Sequence, residues 1–524
     1  MDLNVQDVID ILKNLNIQKS PGPDAIHPAV LKECRDELAN PLYNLFQASL
    51  VTGKIPFDWK TGHISPIFKK GDQTLAENYR PISLTSVVCK CMEKIVRSAL
   101  LKHIIGKNIL TDKQHGFVPG RSCSTQLLEV MDQWTEIMDN GGTVDIIYLD
   151  FAKAFDTVPH QRLLQKLEYL GIKGKVLKWI EAFLSQRKQR VCICIGNALS
   201  SWSNVSSGVP QGSVLGPVLF LYYVNDLPAR VNTSMIHMYA DDTKLSKRID
   251  GIHDCFDLQE SLDSVKIWSD NWQLKLNLKK CKVLHLGRSQ KYADYTLLEN
   301  GVRNKVEESQ GEKDIGVWIN GDLKFVDHTD KAVAKARKIL GLIKRTFKCR
   351  DPGTMKLLFT ALVRPHLEHC NVVWHPMNKR ETDKLERVQR MATKLVPGFQ
   401  DLSYQQRMNR LKIPSLAYRR LRGDVIEVYK YLHDFYAVNA SSMFRLRRHN
   451  APATRGHCLK LEKKCCNTRL RQHFFSNRIV NVWNSLPVNV VTAPSLNSFK
   501  GRFDAVNRHQ HFIIEEKELY DCLI

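Results

Sequence analysis

The stretch Met235-Ile-His-Met-Tyr-Ala-Asp-Asp-Thr-Lys-Leu245 constrains this chain more than any other. Its centre, Tyr239-Ala240-Asp241-Asp242, sets two adjacent carboxylates between short apolar-rich runs. Such a pattern reads as strand, turn, strand, with both acids at the tip of a hairpin. Side-by-side carboxylates repel and raise each other's pKa, a penalty that a divalent cation removes. Taken alone, the tetrapeptide is equally an ordinary solvated Asp-Asp turn.

A second acidic stretch narrows the choice. Val144-Asp-Ile-Ile-Tyr-Leu-Asp150 is an apolar run of strand length ending on a carboxylate, followed by Phe151-Ala-Lys-Ala-Phe-Asp156. A third oxygen ligand beside the tip pair completes the hard donor set that Mg²⁺ prefers. Two such ions about 3.5–4 Å apart form the clamp used for in-line phosphoryl and nucleotidyl transfer. One would sharpen a 3′-hydroxyl into a nucleophile, and the other would hold a triphosphate and its departing pyrophosphate. If the two strands lie side by side, they make a polymerase palm.

Asp150-Phe-Ala-Lys-Ala-Phe-Asp156, Gly208-Val-Pro-Gln-Gly-Ser213 and Tyr239-Ala-Asp-Asp242 resemble, in order and spacing, the A, B and C motifs of reverse transcriptases. The likeness is to the non-LTR (LINE-type) retrotransposon enzymes of the jockey and CR1 kind, and it covers nearly the whole chain. It implies an α+β right-hand polymerase of fingers, palm and thumb with a mainly helical, basic C-terminal extension. The implied segments are pre-fingers helices over 1–53, fingers and palm over 54–326, a thumb-like helical region over 327–400, and a nucleic-acid-binding extension over 401–524. The implied activity is RNA-directed DNA polymerisation, with two Mg²⁺ ions (or Mn²⁺ in their place), an RNA template, a DNA primer or target, and dNTPs. The alternative is an inactive or domesticated chain of the same fold that only binds RNA.

The resemblance also distributes roles. Asp150, Asp241 and Asp242 hold the metals. Lys69 (or its neighbour Lys70) and Arg80, on a fingers hairpin, hold the triphosphate. Phe155, five positions after Asp150, collides with a ribose 2′-hydroxyl and admits deoxyribose, which disfavours an RNA-copying RNA polymerase. Asp156 next to it is an acid that could accept a bond from that hydroxyl. Gln211 faces the nucleotide and template strand, Tyr239 lies near the primer end, and Arg121, in Gln114-His-Gly-Phe-Val-Pro-Gly-Arg-Ser122, touches template phosphate. Lys279-Lys280-Cys281-Lys282-Val283 resembles the fourth palm motif; Leu284-His-Leu-Gly287 and Asp314-Ile-Gly-Val-Trp-Ile319 resemble the hairpin that holds the primer end. Neither an endonuclease nor an RNase H acidic set is evident, so a truncated reading frame is expected.

Periodicity fills in the rest. Helices are expected over Thr85–Lys102, from His160 with Leu163, Leu164, Leu167 and Leu170 on one face, over Lys175–Leu184, and over Val214–Asp226. Gln273 to Leu278 alternates as a strand would. Val333, Ala336, Ile339, Leu340 and Ile343 line one side of a helix whose other faces carry Lys331, Lys335, Arg337, Lys338, Lys344 and Arg345, a surface suited to a duplex backbone.

Charge separates the two parts of the chain. Residues 331–524 hold 37 Lys and Arg against 15 Asp and Glu, whereas residues 1–330 hold 40 against 39. A near-neutral front and a basic rear suggest that the rear grips a polyanion, with salt-sensitive affinity. Near the end, Arg445 to Arg448 and Lys460 to Arg471 interleave with Phe444, Phe474, Phe475 and Trp483, a mixture that suits single-stranded RNA. The fourteen Cys show no disulfide framework, which suits a reducing compartment. The spacings of His366, His369, Cys370 and His375, and of His457, Cys458, Cys465, Cys466 and His473, fit no zinc motif, so no zinc is expected. No apolar run reaches spanning length and the start lacks a secretory pattern, so a soluble protein of the nucleus or cytoplasm is expected.

Overall fold

The computed structural model describes residues 3–193, 198–287, 293–447 and 457–513. Arg448, expected in a basic cluster, lies outside the described residues. The central sheet has five strands: β1 (Thr143–Leu149), β2 (Met235–Tyr239), β3 (Asp242–Ile249), β4 (Lys282–Leu286) and the two-residue β5 (Glu307–Glu308). Their order is β5-β4-β1-β3-β2, antiparallel except for β5 against β4.

The middle strand, β1, explains the layout. Its sequence, Thr-Val-Asp-Ile-Ile-Tyr-Leu, is rich in β-branched and aromatic residues and carries apolar side chains on both faces. Ile147 and Leu149 point into one hydrophobic core, and Val144 and Ile146 into another. A strand apolar on both sides belongs between two packed layers. The first layer joins the N-terminal helices, the helix Val87–Gly106 and the palm helices His160–Tyr169, Gly174–Leu184 and Gly216–Val224. The second joins the helix Cys123–Asp139, the thumb helix Val326–Thr346 and side chains as far along as Phe503.

The fingers are a second sheet. Thr61–Phe68 and Tyr79–Leu84 form a hairpin, and Arg187–Ile193 runs parallel to the first of them. Ala198–Leu199 and Ser203–Val205 pair with Arg187–Ile193 in turn. Among the described residues no helix is long and apolar enough to cross a membrane.

Three expectations are corrected here. Gln273–Leu278 is not a strand: it makes one bridge, Phe151 with Leu276, before the turn Leu278–Lys280. Its backbone is used to hold the main chain around Asp150, with Ala152 N donating to Lys275 O and Asn277 N to Asp150 O, both at 2.8 Å. Leu284–Leu286 belongs to β4 of the central sheet, and the separate hairpin is Gly311–Asp314 with Val317–Asn320 alone. Phe444, Phe474, Phe475 and Trp483 are buried in the second core, so they present no stacking surface.

Several basic residues of the rear are likewise internal. Arg471 is buried and donates to Asp132 Oδ1 and Thr135 Oγ1 at 2.8 Å each. Arg478 pairs with buried Asp424 at 2.8 Å, and Arg422 with Asp504 at 2.6 Å. The C-terminal helices thus share one core with the thumb and the back of the palm. Exposed cations persist on the outer face of the thumb helix, at Lys331, Lys335, Arg337, Lys338, Lys344 and Arg345.

Candidate active site

The hairpin turn is two residues long. Tyr239 pairs with Asp242, leaving Ala240 and Asp241 at the bend, and Ala240 adopts φ +58°. An L-residue rarely occupies that left-handed region without help from its surroundings. The help is Gln114, which is 1% exposed. Its Oε1 accepts from Ala240 N and from Gly116 N, both at 2.8 Å. Lys113 O and His115 N flank it by bonding the two sides of Met238 at 2.9 Å, so residues 113–115 lengthen the sheet beside β2. Gly116 is obligatory in this arrangement, because a Cβ there would meet Ala240 N at 2.4 Å.

The register then delivers Asp150. Leu149 of β1 faces Thr243 of β3, so the next residue of β1 emerges beside Asp242 at the same end of the sheet. The three carboxylates feel one another. Burial raises the Asp241 pKa and Asp150 adds to it, while Arg80 and Lys69 act against the rise. Burial and the charges of Asp241, Asp314 and Asp150 push Asp242 up to about 6, opposed by Lys244. Asp242 is nonetheless open to solvent on its outer side. The protein tolerates concentrated negative charge here and supplies cations from a different domain.

Those cations stand on the fingers hairpin. Ile67 faces Arg80 across the ladder, and Lys69 N donates to Asn78 O at 2.9 Å, closing the tip. Lys69 and Arg80 are exposed and form no ion pair among the described residues. Asp150 does have a partner, Lys280, whose Nζ lies 3.2 Å from its Oδ1.

The loop Gly208–Ser213 couples the two domains. Gly208 (φ +85°) and Gly212 (φ +112°) pass so near the backbones of Asp156 and Ser83 that a Cβ would come within 2.5 Å of their carbonyl oxygens. Ser83 N, on the fingers strand, donates to Gln211 O at 2.7 Å. Gln211 Nε2 donates to Asp156 Oδ1 at 2.9 Å, so the acid beside Phe155 already has a donor. Phe155 stacks on Phe220 with ring centroids 4.4 Å apart and meets Phe117 edge-on at 6.1 Å.

Two positions have partners that no local window of sequence shows. Arg121 bonds inward: its guanidinium donates to the carbonyls of Asp112 and Gln114 at 2.7 Å and of Ala437 at 3.1 Å. It staples the segment that backs the catalytic turn to the C-terminal region. Burial, with Cys123 beside it, raises the phenol pKa of Tyr239 above the ordinary value.

Two further residues do work that no motif announces. Gln114 is one. Glu93 is the other: fully buried, it accepts from Ser213 Oγ at 2.5 Å, Val214 N at 2.7 Å and Leu215 N at 3.0 Å. It places a carboxylate at the start of the helix Gly216–Val224, where the helix dipole favours negative charge. Sequence offered one signal for Glu93, an acid on the apolar side of an otherwise buried helix. Gln114 had only its place beside a glycine.

The donor chemistry fits hard divalent cations, since three carboxylates share one rim and two carry raised pKa values. Among the described residues no three acidic, histidine or cysteine side chains are already drawn into an ion-holding cluster. Asp150 turns toward Lys280 instead. In the thumb and tail, His369 bonds Ile315 O at 3.2 Å and His457 bonds Trp483 O at 3.1 Å.

The chain is 29% identical over 336 residues to the RNA-directed DNA polymerase from mobile element jockey of Drosophila melanogaster, covering 62% of this chain and 36% of that protein. It is 25% identical over 402 residues to the probable RNA-directed DNA polymerase from transposon X-element, and 30% over 287 residues to that from transposon BS, both of Drosophila melanogaster. Those alignments cover 75% and 53% of this chain, and 44% and 31% of the relatives. The chain thus spans less than half the length of these curated relatives. A solved apo telomerase from Candida tropicalis shares a looser likeness, with a TM-score of 0.35 and 11% identity over 54% of this chain and 58% of that one. Residues 67–342, just over half of the chain, match the family described as reverse transcriptase (RNA-dependent DNA polymerase), and the chain belongs to that family.

Proposed function

We propose that this chain is the RNA-templated DNA polymerase of a non-LTR retrotransposon, joining dNMP from a dNTP to a primer 3′-hydroxyl. One observation carries the reading. The register of β1, β2 and β3 brings Asp150 to the hairpin tip that carries Asp241 and Asp242, and the exposed Arg80 and Lys69 of the fingers hairpin act against the raised pKa of Asp241, as a triphosphate site between two domains requires. Asp150, Asp241 and Asp242 are the residues to hold Mg²⁺, or Mn²⁺. When bound, the ions would supply charge neutralisation and an activated hydroxyl.

The chain's own residues do the remainder. Arg80 offers a fork of donors to phosphate oxygens, and Lys69 a point charge beside it. Phe155, stacked on Phe220, is the residue to meet the sugar of an incoming nucleotide and to exclude a 2′-hydroxyl. Gln211 Nε2 holds Asp156 Oδ1, which fixes the orientation of the acid beside the gate. Gln211 would face the nascent pair, Tyr239 the primer end, and Lys335 and Lys338 the duplex backbone on the thumb. RNA template, DNA primer and dNTPs are the partners, inside the cell.

The test is extension of oligo(dT) on poly(rA) with Mg²⁺ and either deoxy- or ribonucleotides. Deoxynucleotides alone are incorporated, and Asp241→Asn abolishes extension while RNA binding persists. Extension by that variant refutes the metal assignment. A wild-type chain that binds RNA without extending would be an RNA-holding protein of the same fold.

A further inference from the structure

From the solvent face of the fingers sheet we infer a stacking platform for single-stranded template, built from Trp202, Arg190 and His63. Residues that face one another across a sheet share a side of it. His63 faces Arg190, Thr61 faces Lys188, and Ile67 faces Arg80. With the two-residue alternation along Thr61–Phe68, Arg80, His63, Arg190 and Lys188 therefore stand on one face. The opposite face is turned inward through Ile64, which is buried.

On this face the strands carry Arg80, Lys188 and Arg190, and the strands of the sheet hold not one Asp or Glu; Arg187, on the other face, is buried and donates to Phe183 O. A solvated sheet with no ligand has no reason to exclude acids so thoroughly; one that tracks a polyanion does.

At the end remote from Arg80 the face acquires a ring system. The Arg190 guanidinium lies 4.4 Å from the Trp202 ring centroid, and its Nε donates to His63 Nε2 at 2.9 Å. The His63 and Trp202 rings are 6.0 Å apart and tilted by 32°. An imidazole that accepts from arginine is neutral, and burial together with Arg190 lowers its pKa. Arg190 is thereby fixed beneath the indole with its terminal nitrogens left to meet phosphate. Trp202 is 41% exposed, which leaves indole surface open to a base. A held guanidinium beside a half-open indole is the pairing that single-strand binders use.

Four residues of extended strand separate the His63 row from the Ile67 row, roughly 13–14 Å. The platform thus lies on the same face as the triphosphate-side Arg80, at a distance that an unpaired stretch of template would cross before it reaches the active site. This inference rests on the polymerase reading only for the identity of the strand.

The experiment uses the full chain without nucleotide or divalent ion, so its outcome is independent of extension chemistry. Fluorescence anisotropy compares a primer-template carrying a single-stranded template overhang with the blunt duplex. Trp202→Ala weakens overhang binding about tenfold to hundredfold, the effect of losing one stacked base, and leaves the blunt duplex unchanged. Trp202→Phe restores most of the loss. Arg190→Gln reduces overhang affinity and lowers the salt slope by about one contact. Equal losses on both substrates, or an unaltered overhang affinity in Trp202→Ala, overturn the platform. Asp241→Asn, which leaves this surface intact, retains the overhang preference even though it cannot extend.

Discussion

Gln114 offers the sharpest test of how the catalytic turn is held. Replacing it with Met keeps its bulk but removes the oxygen that accepts from Ala240 N and Gly116 N. Both amides are enclosed, and an enclosed donor without an acceptor costs about 1–3 kcal/mol, so the native turn loses about 2–6 kcal/mol. Ala240 sits at φ +58°, so relaxation runs toward a different turn, which carries Asp241 away from its place beside Asp150. A shift of about 1 Å at a reacting centre lowers the rate by about a hundredfold. Single-turnover primer extension should therefore fall by about that factor in Gln114→Met, with primer-template affinity within about twofold of wild type. Gln114→Ala adds a cavity and should be less stable in urea than Gln114→Met. Wild-type extension by Gln114→Met would show that the turn keeps its shape without the clamp, and the reasoning would fail.

Three other outcomes follow from particular contacts. Asp242 has its pKa pushed up to about 6 without metal, so the folded apo protein holds that proton more tightly than the unfolded chain. Apo stability from this group is gained as pH falls through about 6 and lost as pH rises, whereas Mn²⁺ affinity, measured by electron paramagnetic resonance, should weaken below about pH 6; Asp242→Asn should flatten both dependences. Phe155→Val should admit ribonucleotides in the extension assay and lose about 0.5–1.5 kcal/mol from the Phe220 stack, too little to unfold the chain. Arg471→Met leaves the carboxylate of Asp132 enclosed and unpaired, for a loss of about 3–5 kcal/mol in urea unfolding that Asp132→Asn should partly restore in the double variant.

Local pattern made the site's backbone legible. The apolar runs around Asp241 and Asp242 and ahead of Asp150 became β2, β3 and β1 at the expected positions, because two-residue alternation and β-branched content act within a few residues. The helices expected from His160 and over Lys175–Leu184 formed for the same reason. Gln273–Leu278 alternates just as well, yet the sheet edge it would need is taken, and it forms a single bridge.

Where composition stood in for contact, the reading went astray. Arg471, with Phe474, Phe475 and Trp483, looked like a nucleic-acid surface because its partners are distant in the chain: Arg471 meets Asp132, 339 residues away. A charge is free or spent according to what the fold places beside it, and no window of sequence contains that neighbour. Arg121 depends on distant partners too, its Nε and Nη1 donating to carbonyls of residues 112, 114 and 437.

The sequence by itself determined the acids, their flanking strands and the order of the motifs, since covalent neighbours and side-chain period are local properties. Only the tertiary structure decided that β1 and β3 lie in register with Asp150 beside Asp242, that Gln114 clamps the bend, and that Arg80 and Lys69 reach across from the fingers. Each of those depends on hydrogen bonds and fields between segments about 100 residues or more apart, whose energies exist only once the chain has closed.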